Sequence, residues 1–249
     1  MTHLLTLAMS FAMFLQQPPA RPKAADLPDS PAFKERGAKI TLIGKNVWVD
    51  GNENGRRVLV RGTICRDRVD LEEFMCLKGT KEHESIVTAD LVPKVFQAAL
   101  LAADAEPGAP AKIVEGKFFA PTGGKIEITV EWKAGKEFKR ARAQDWIRDV
   151  KSKKAITHDF VFAGSQWITN PVNGEKFFLG DEGDLVSVAN FSGSIIDLAV
   201  QSSNENQSLD FETFTERIPA VDTEVTVILK AVKKDEKSAA QKPTGDAKK

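Results

Sequence analysis

Lys45–Asp50 (KNVWVD) and Arg57–Cys65 (RVLVRGTIC) flank GNENG at Gly51–Gly55. Two runs of β-branched and aromatic residues on either side of a Gly- and Asn-rich turn read as an antiparallel hairpin. The same punctuation recurs outward along the chain at intervals of roughly ten residues. Leu71–Leu77 and Glu84–Ala89 flank Lys78–Thr80, and Lys125–Trp132 and Lys136–Arg142 flank Ala134 and Gly135. Phe160–Ile168 and Glu175–Leu179 flank Asn173 and Gly174, while Leu185–Phe191 and Thr223–Lys230 complete the set of strands. One amphipathic helix stands against this background over about residues 90–105. Asp90 is placed to cap it, Pro93 falls in its first turn, and Pro107 with Gly108 ends it. Its residues Val92, Val95, Phe96, Ala99, Leu100 and Ala103 recur at three- and four-residue spacing, forming one apolar stripe. A short second helix is expected around Asp145–Val150. The predicted class is α+β: strand-rich, mainly antiparallel sheets built from hairpins, with one principal helix.

The ends have different compositions. Leu4–Leu15 (LLTLAMSFAMFL) is an apolar run of 12 residues, too short for a hydrocarbon core that needs about 20 and right for a secretory signal peptide. Residues 1–20 are therefore read as that signal, with Ala20 before the cleavage point, and residues 21–37 as a Pro-rich linker. Lys233–Lys249 carries six Lys against three acidic residues and nothing larger than Ala that could join a core. It is read as a disordered, solvated tail, which leaves one domain over residues 38–232. The expected location is exported, periplasmic or extracellular, with no transmembrane span in the mature protein.

Composition narrows the chemistry. In a chain of 249 residues, 35 Lys and Arg offset 35 Asp and Glu, so no overall field draws it to nucleic acid, and none is expected as a partner. Tyr is absent, which removes phenolic acid–base chemistry. Charge is unevenly placed: Lys133–Lys154 holds nine basic residues against three acidic, and Glu175–Glu224 eleven acidic against two basic. These stretches could attract one another or form opposite faces that steer a partner.

The densest group of metal-capable side chains is Glu72, Glu73, Cys76, Glu82, His83 and Glu84 on one expected hairpin. Strand alternation puts Glu72 and Cys76 on one face and Glu73 on the other, with His83 opposite Glu82 and Glu84. His83, Cys76 and Glu72 are the candidate metal ligands, with cross-strand ion pairing to Lys81 or Lys78 as the alternative use of the carboxylates. Asp181 and Asp184 form a second acidic site in a Gly-Asp-Glu-Gly-Asp run that lacks calcium-loop spacing. Cys65 and Cys76 can pair as a disulfide only if the register of their strands brings them opposite each other. Ser165 with His158 and Asp184 is a weaker, hydrolase-like set, since FAGSQ is no nucleophile elbow. No phosphate-binding loop, dinucleotide fingerprint or HExxH occurs.

GTKEHESIV (Gly79–Val87), ALLAADAEPG (Ala99–Gly108), DFVFAGSQW (Asp159–Trp167) and ETFTERIP (Glu212–Pro219) resemble the YdjY-domain family of bacterial proteins. VEW at Val130, AQDWIRD at Ala143, GDLVSVANF at Gly183 and IDLAV at Ile196 extend the resemblance over roughly Ile40–Lys230. The resemblance implies an exported protein; some members carry a ferredoxin-like label. An iron–sulfur cluster normally takes four thiolates, or two thiolates and two imidazoles. This chain has two Cys and two His beyond the signal region, so no iron–sulfur cofactor is expected and a divalent metal is the cofactor left open. The expected function is an exported, non-enzymatic binding domain for a protein, small ligand or envelope polymer. Its expected contact residues are Glu72, Glu73, Glu82, His83, Glu84, Asp181 and Asp184. The alternative is a metal-dependent or metal-handling protein built on the Glu72–Glu84 hairpin around His83.

Overall fold

A computed structural model describes residues 27–34, 39–52, 55–203 and 209–233. The apolar N-terminal run, the start of the Pro-rich segment and nearly all of the Lys-rich tail lie outside the described residues. Eleven strands share one hydrogen-bonded sheet. They are β1 (Ile40–Gly44), β2 (Val47–Asn52), β3 (Gly55–Ile64), β4 (Glu73–Leu77), β5 (Ser85–Ala89), β6 (Lys125–Ala134), β7 (Glu137–Arg142), β8 (Phe160–Phe162), β9 (Asp184–Ser187), β10 (Ile196–Leu198) and β11 (Glu224–Ala231). The sheet closes on itself in the order β3–β11–β6–β8–β10–β9–β4–β5 and back to β3, an eight-stranded barrel. β1 and β2 extend it beyond β3, and β7 lies beside β6.

The α+β arrangement of hairpin sheets around one principal helix is therefore corrected to a closed barrel. Hairpin punctuation reports only pairings between neighbours in sequence. Closure here depends on β3 meeting β5, β6 meeting β8 and β11 entering between β3 and β6, none of which leaves a local signal. The expected hairpin of β4 with β5 is in fact a parallel pair, Glu73 opposite Ser85 and Leu77 opposite Ala89. The connection Lys78–Glu84 runs back along the strand through a 3₁₀ turn at Glu82–Glu84. β9 and β10 are parallel as well. The expected second helix is a 3₁₀ turn, Ala143–Trp146, leading into a strand at Ile147–Asp149.

Two α-helices flank the barrel: α1 (Pro31–Lys34) and α2 (Pro93–Ala102). Val92, not Asp90, is the N-cap of α2, because the Asp90 carboxylate is 2.7 Å from Lys45 Nζ and its carbonyl accepts from Asn46 Nδ2 at 2.8 Å. Phe96, Ala99 and Leu100 of α2 are buried in the main core. The helix comes close to β1, where a Cβ on Gly44 would lie 2.7 Å from Val95 Cγ1.

Alternation along the long strands sorts two cores. Val58 and Val60, and Val225, Val227 and Leu229, point into the barrel, and Val47 and Val49 of β2 join the same core. Trp48, Leu59 and Ile228 point outward and are covered by Phe33, whose ring meets Trp48 edge-on at 5.1 Å. Part of the segment read as a linker thus packs on the barrel. Ser30 Oγ and the Ala32 amide donate to Glu131 Oε2 at 2.5 and 3.0 Å.

Closure happens at two diagonally opposite corners. Along β3, β2 pairs with residues 55–60 and β5 takes over at Thr63. Along β6, β7 pairs with residues 129–134 and β8 with Lys125 and Ile126. Gly62 stands at the first handover, and Gly123 lies just ahead of β6 at the second corner. A Cβ on Gly62 would lie 2.6 Å from Val87 Cγ1, and one on Gly123 would lie 2.1 Å from the Phe162 carbonyl oxygen. The neighbour is a side chain at Gly62 and a backbone carbonyl at Gly123, and neither leaves room for a Cβ.

Gly62→Val is expected to destabilise the fold by about 2 kcal/mol or more through overpacking of the seam. Gly51→Val on β2 should stay within about 0.5 kcal/mol, since its Cβ would meet only the Lys39 carbonyl oxygen at 4.0 Å. Urea unfolding midpoints of the two variants check this; equal shifts would contradict the role assigned to the corner.

Candidate functional site

The return segment Lys78–Glu84 carries Lys81 over the mouth of the β4–β9 pair. Its ammonium lies 2.8 Å from Asp184 Oδ1 and 3.8 Å from Glu72 Oε2, and 3.8 Å above the centroid of the Phe191 ring. Both carboxylates are buried. Burial alone would pull the lysine's pKa down, but the charges of Glu73 and Asp184 outweigh it and hold it above the ordinary value. Glu72 is pushed up to about 7 by burial and by a shared hydrogen bond with Glu84, against the pull of Lys81.

Behind this pair the acids go deeper. Glu73 is fully buried, accepts from Ser187 Oγ at 3.0 Å, and Ser187 in turn accepts from Ser194 Oγ at 2.8 Å. Asp197 on β10, also fully buried, accepts from Asn190 Nδ2 at 3.0 Å and from the Leu198 amide at 2.8 Å. Burial raises both carboxyls well above their usual range; Asp184 adds to the rise at each, and Asn190 and the Leu198 amide oppose it at Asp197. Glu73 Oε2 and Asp197 Oδ2 accept no hydrogen bond, a state an ionised carboxylate tolerates poorly away from water. The interior thus holds carboxyls that favour the neutral form, with one ammonium at their edge.

The segment 184–203 joins this interior to the surface. Asp184 and Phe191 face Lys81, whereas Asn190, Ser192 and Gln201–Ser203 line an open cleft of about 810 Å³. The opposite walls come from Ala111–Ile113 and Phe118, from Asp149, Lys151 and His158, and from Asp210 and Phe211. Asn190 fixes the wall: besides its bond to Asp197, its Oδ1 accepts from the Ser202 amide at 2.8 Å. Ser202 Oγ donates to the Val188 carbonyl at 2.6 Å.

The residues singled out by sequence are dispersed. Glu72, Glu73 and Asp184 come together, but around Lys81 and in the interior instead of on an acidic face. Glu82 and Glu84 flank an exposed His83, which lies 3.4 Å from Glu84 Oε2 with 70% of its side chain accessible. Strand alternation does not apply to these three, because they form a 3₁₀ turn. Glu82 accepts from the Gly79 amide at 2.5 Å, and such bonds hold its pKa low against burial. Asp181 pairs with Lys94 at 2.8 Å on the surface. Cys65 and Cys76 come from either side of β5 and meet as unbridged thiols that share a hydrogen bond, and Cys65 also donates to the Ser85 carbonyl at 3.2 Å. Among the described residues, no three His, Cys, Asp or Glu side chains stand in positions to hold a metal ion. Ser165 Oγ is buried without a hydrogen-bond partner, and His158 lies at the cleft against Phe211 with ring centroids 6.5 Å apart. The basic and acidic stretches attract each other within the fold: Arg148 meets Glu212 and Glu216, Lys151 meets Asp210, and Lys153 meets Glu212.

A carboxyl raised in the folded state stabilises below its unfolded pKa and loses that contribution as pH climbs through the folded one. With Glu72 moving from 4.5 to about 7, and Glu73 and Asp197 raised too, stability should fall steadily between pH 5 and 8. Glu72→Gln should flatten that slope in thermal unfolding across the range; an unchanged slope would contradict the assignment. Lys81→Met, which strips the partner from buried Asp184, should cost about 3 kcal/mol.

Among the described residues, no helix is long and apolar enough to cross a membrane. Comparison with curated proteins and with solved structures finds no match. The family model described as YdjY domain matches residues 46–230, a span that runs from the start of β2 nearly to the end of β11 and takes in Lys81, the buried carboxyls and the whole cleft. The chain belongs to the YdjY domain family.

Proposed function

We propose that this chain is an exported, non-enzymatic binding domain whose ligand occupies the cleft walled by Asn190, Ser192 and Gln201–Ser203. The observation that carries the reading is the construction of that cleft. Five separate segments supply its walls, and Asn190 and Ser202, both nearly inaccessible, brace the inner wall by four hydrogen bonds. Such bracing preorganises a surface and lowers the ordering cost of binding. Catalytic readings have less support, since the one candidate nucleophile, Ser165, has no base on its hydroxyl. Export rests on the Leu4–Leu15 run followed by Pro18 and Pro19.

Two measurements test this. Residues 1–36 fused ahead of leaderless alkaline phosphatase should yield active enzyme, which needs disulfides formed outside the cytosol; an inactive fusion counts against export. For binding, amide spectra of the labelled protein should show shifts at Ser192 and Gln201–Ser203 with at least one probe from a panel of amino acids, short peptides, sugars and nucleotides. Turnover of chromogenic esters that is lost in Ser165→Ala would replace this reading with a hydrolase.

A further inference from the structure

We infer that the occupant of this cleft is an uncharged oligosaccharide clasped by the Lys112–Phe119 hairpin; the inference rests on the binding reading above. Three properties of the walls select that chemistry.

The first is charge. Lys112 and Lys151 are matched by Asp149 and Asp210 on the walls. Lys151 lies 3.4 Å from Asp210, Asp210 also accepts from the Ser203 amide at 2.9 Å, and Asp149 accepts from the Ser152 amide at 2.5 Å. The acids are engaged with the protein itself, and among the described residues the lysines and aspartates of the walls balance, so they offer a phosphate, a polyanion or a polycation no excess of opposite charge.

The second is hydrogen-bonding capacity. The Ser192 hydroxyl and the Gln201 amide stand exposed on the wall, while Asn190 beneath them is committed to Asp197, Leu198 and Ser202. A braced wall that presents groups able both to donate and to accept suits a partner whose hydroxyls do the same.

The third is the hairpin, formed by residues Lys112–Val114 and Lys117–Phe119. It forms a two-stranded ladder separate from the barrel, a kind of element that is marginal without packing. It nevertheless exposes apolar surface: Ile113 at 73%, Phe119 at 47% and Val114 at 45%. Ile113 and Phe118 line the cleft itself. Apolar side chains facing a polar wall across an open gap match a ligand with both kinds of surface. A pyranose ring has them: C–H groups on its faces and hydroxyls around its rim, so the hairpin would meet the faces and the Ser192–Gln201 wall the rim.

The full chain is titrated with maltotriose, cellotriose and tri-N-acetylchitotriose as neutral probes, and with trigalacturonate, trilysine and trialanine as contrasts. Amide shifts and calorimetry are read together. At least one neutral trisaccharide should shift Ser192, Gln201–Ser203 and the residues of the hairpin. Gln201→Ala and Phe118→Ala should each weaken it about tenfold, the loss of one hydrogen bond or one ring contact, with melting temperatures unchanged. Shifts of the same amides by only trigalacturonate, trilysine or trialanine would overturn the sugar assignment and leave the binding reading standing. Neutral sugar binding that ignores both variants places the site elsewhere and also overturns it. No shift with any of the six probes overturns it too, and the broader panel described above then decides whether the binding reading survives.

Discussion

A sheet closes into a barrel only if its first and last strands can reach one another, and here that reach is granted at two points where a side chain has no room. Gly62 lets β3 leave β2 for β5, and Gly123 lets the start of β6 approach the backbone of β8. Everything else follows from that closure. An eight-stranded barrel has an interior just wide enough for its own side chains. Phe74, Phe160, Phe162 and Trp146 fill it along with the valines of the long strands. Where barrel and outer layer share a strand, both faces are buried, and the sequence is continuously apolar there: Val58–Val60 of β3 and Val227–Leu229 of β11.

The same closure explains the odd electrostatics. β4 and β9, which bear Glu73 and Asp184, are side by side in the ring. Once there, their acids have little water to share. The chain answers with one ammonium, two serines and an asparagine, and with carboxyls that favour their protonated form. The cost of this arrangement is considerable, and its geometric effect is specific: it ties β4, β9 and β10 to the segment 188–203 that builds one wall of the cleft.

The sequence was legible where structure is local. Turn dipeptides located the β2–β3 and β6–β7 hairpins, and three- and four-residue spacing located α2. What sequence pattern could not carry was partner identity across the chain. The β4–β5 connection looks like a hairpin loop, yet the strands run parallel, because the seven residues from Lys78 to Glu84 suffice to retrace a short strand. For the same reason Glu72 and Asp184, more than a hundred residues apart, could each be noticed but not joined. Asp197 carried a readable signal that alternation rules pass over: a lone carboxyl inside the apolar run Ile195–Leu198. The cleft left no motif, since its walls are short pieces of segments far apart in the chain.

The strand order has a consequence for how the molecule is made. β11, the last strand among the described residues, occupies a central place between β3 and β6, and its Ile228 lies beneath the docked Phe33. During synthesis, which proceeds from the N-terminus, the earlier strands emerge with a gap where that strand belongs, and no ring can form until residue 231 or so has appeared. Closure of the barrel therefore waits for residues 224–231, and a chain cut short before them would leave β3 and β6 with facing, unpaired edges.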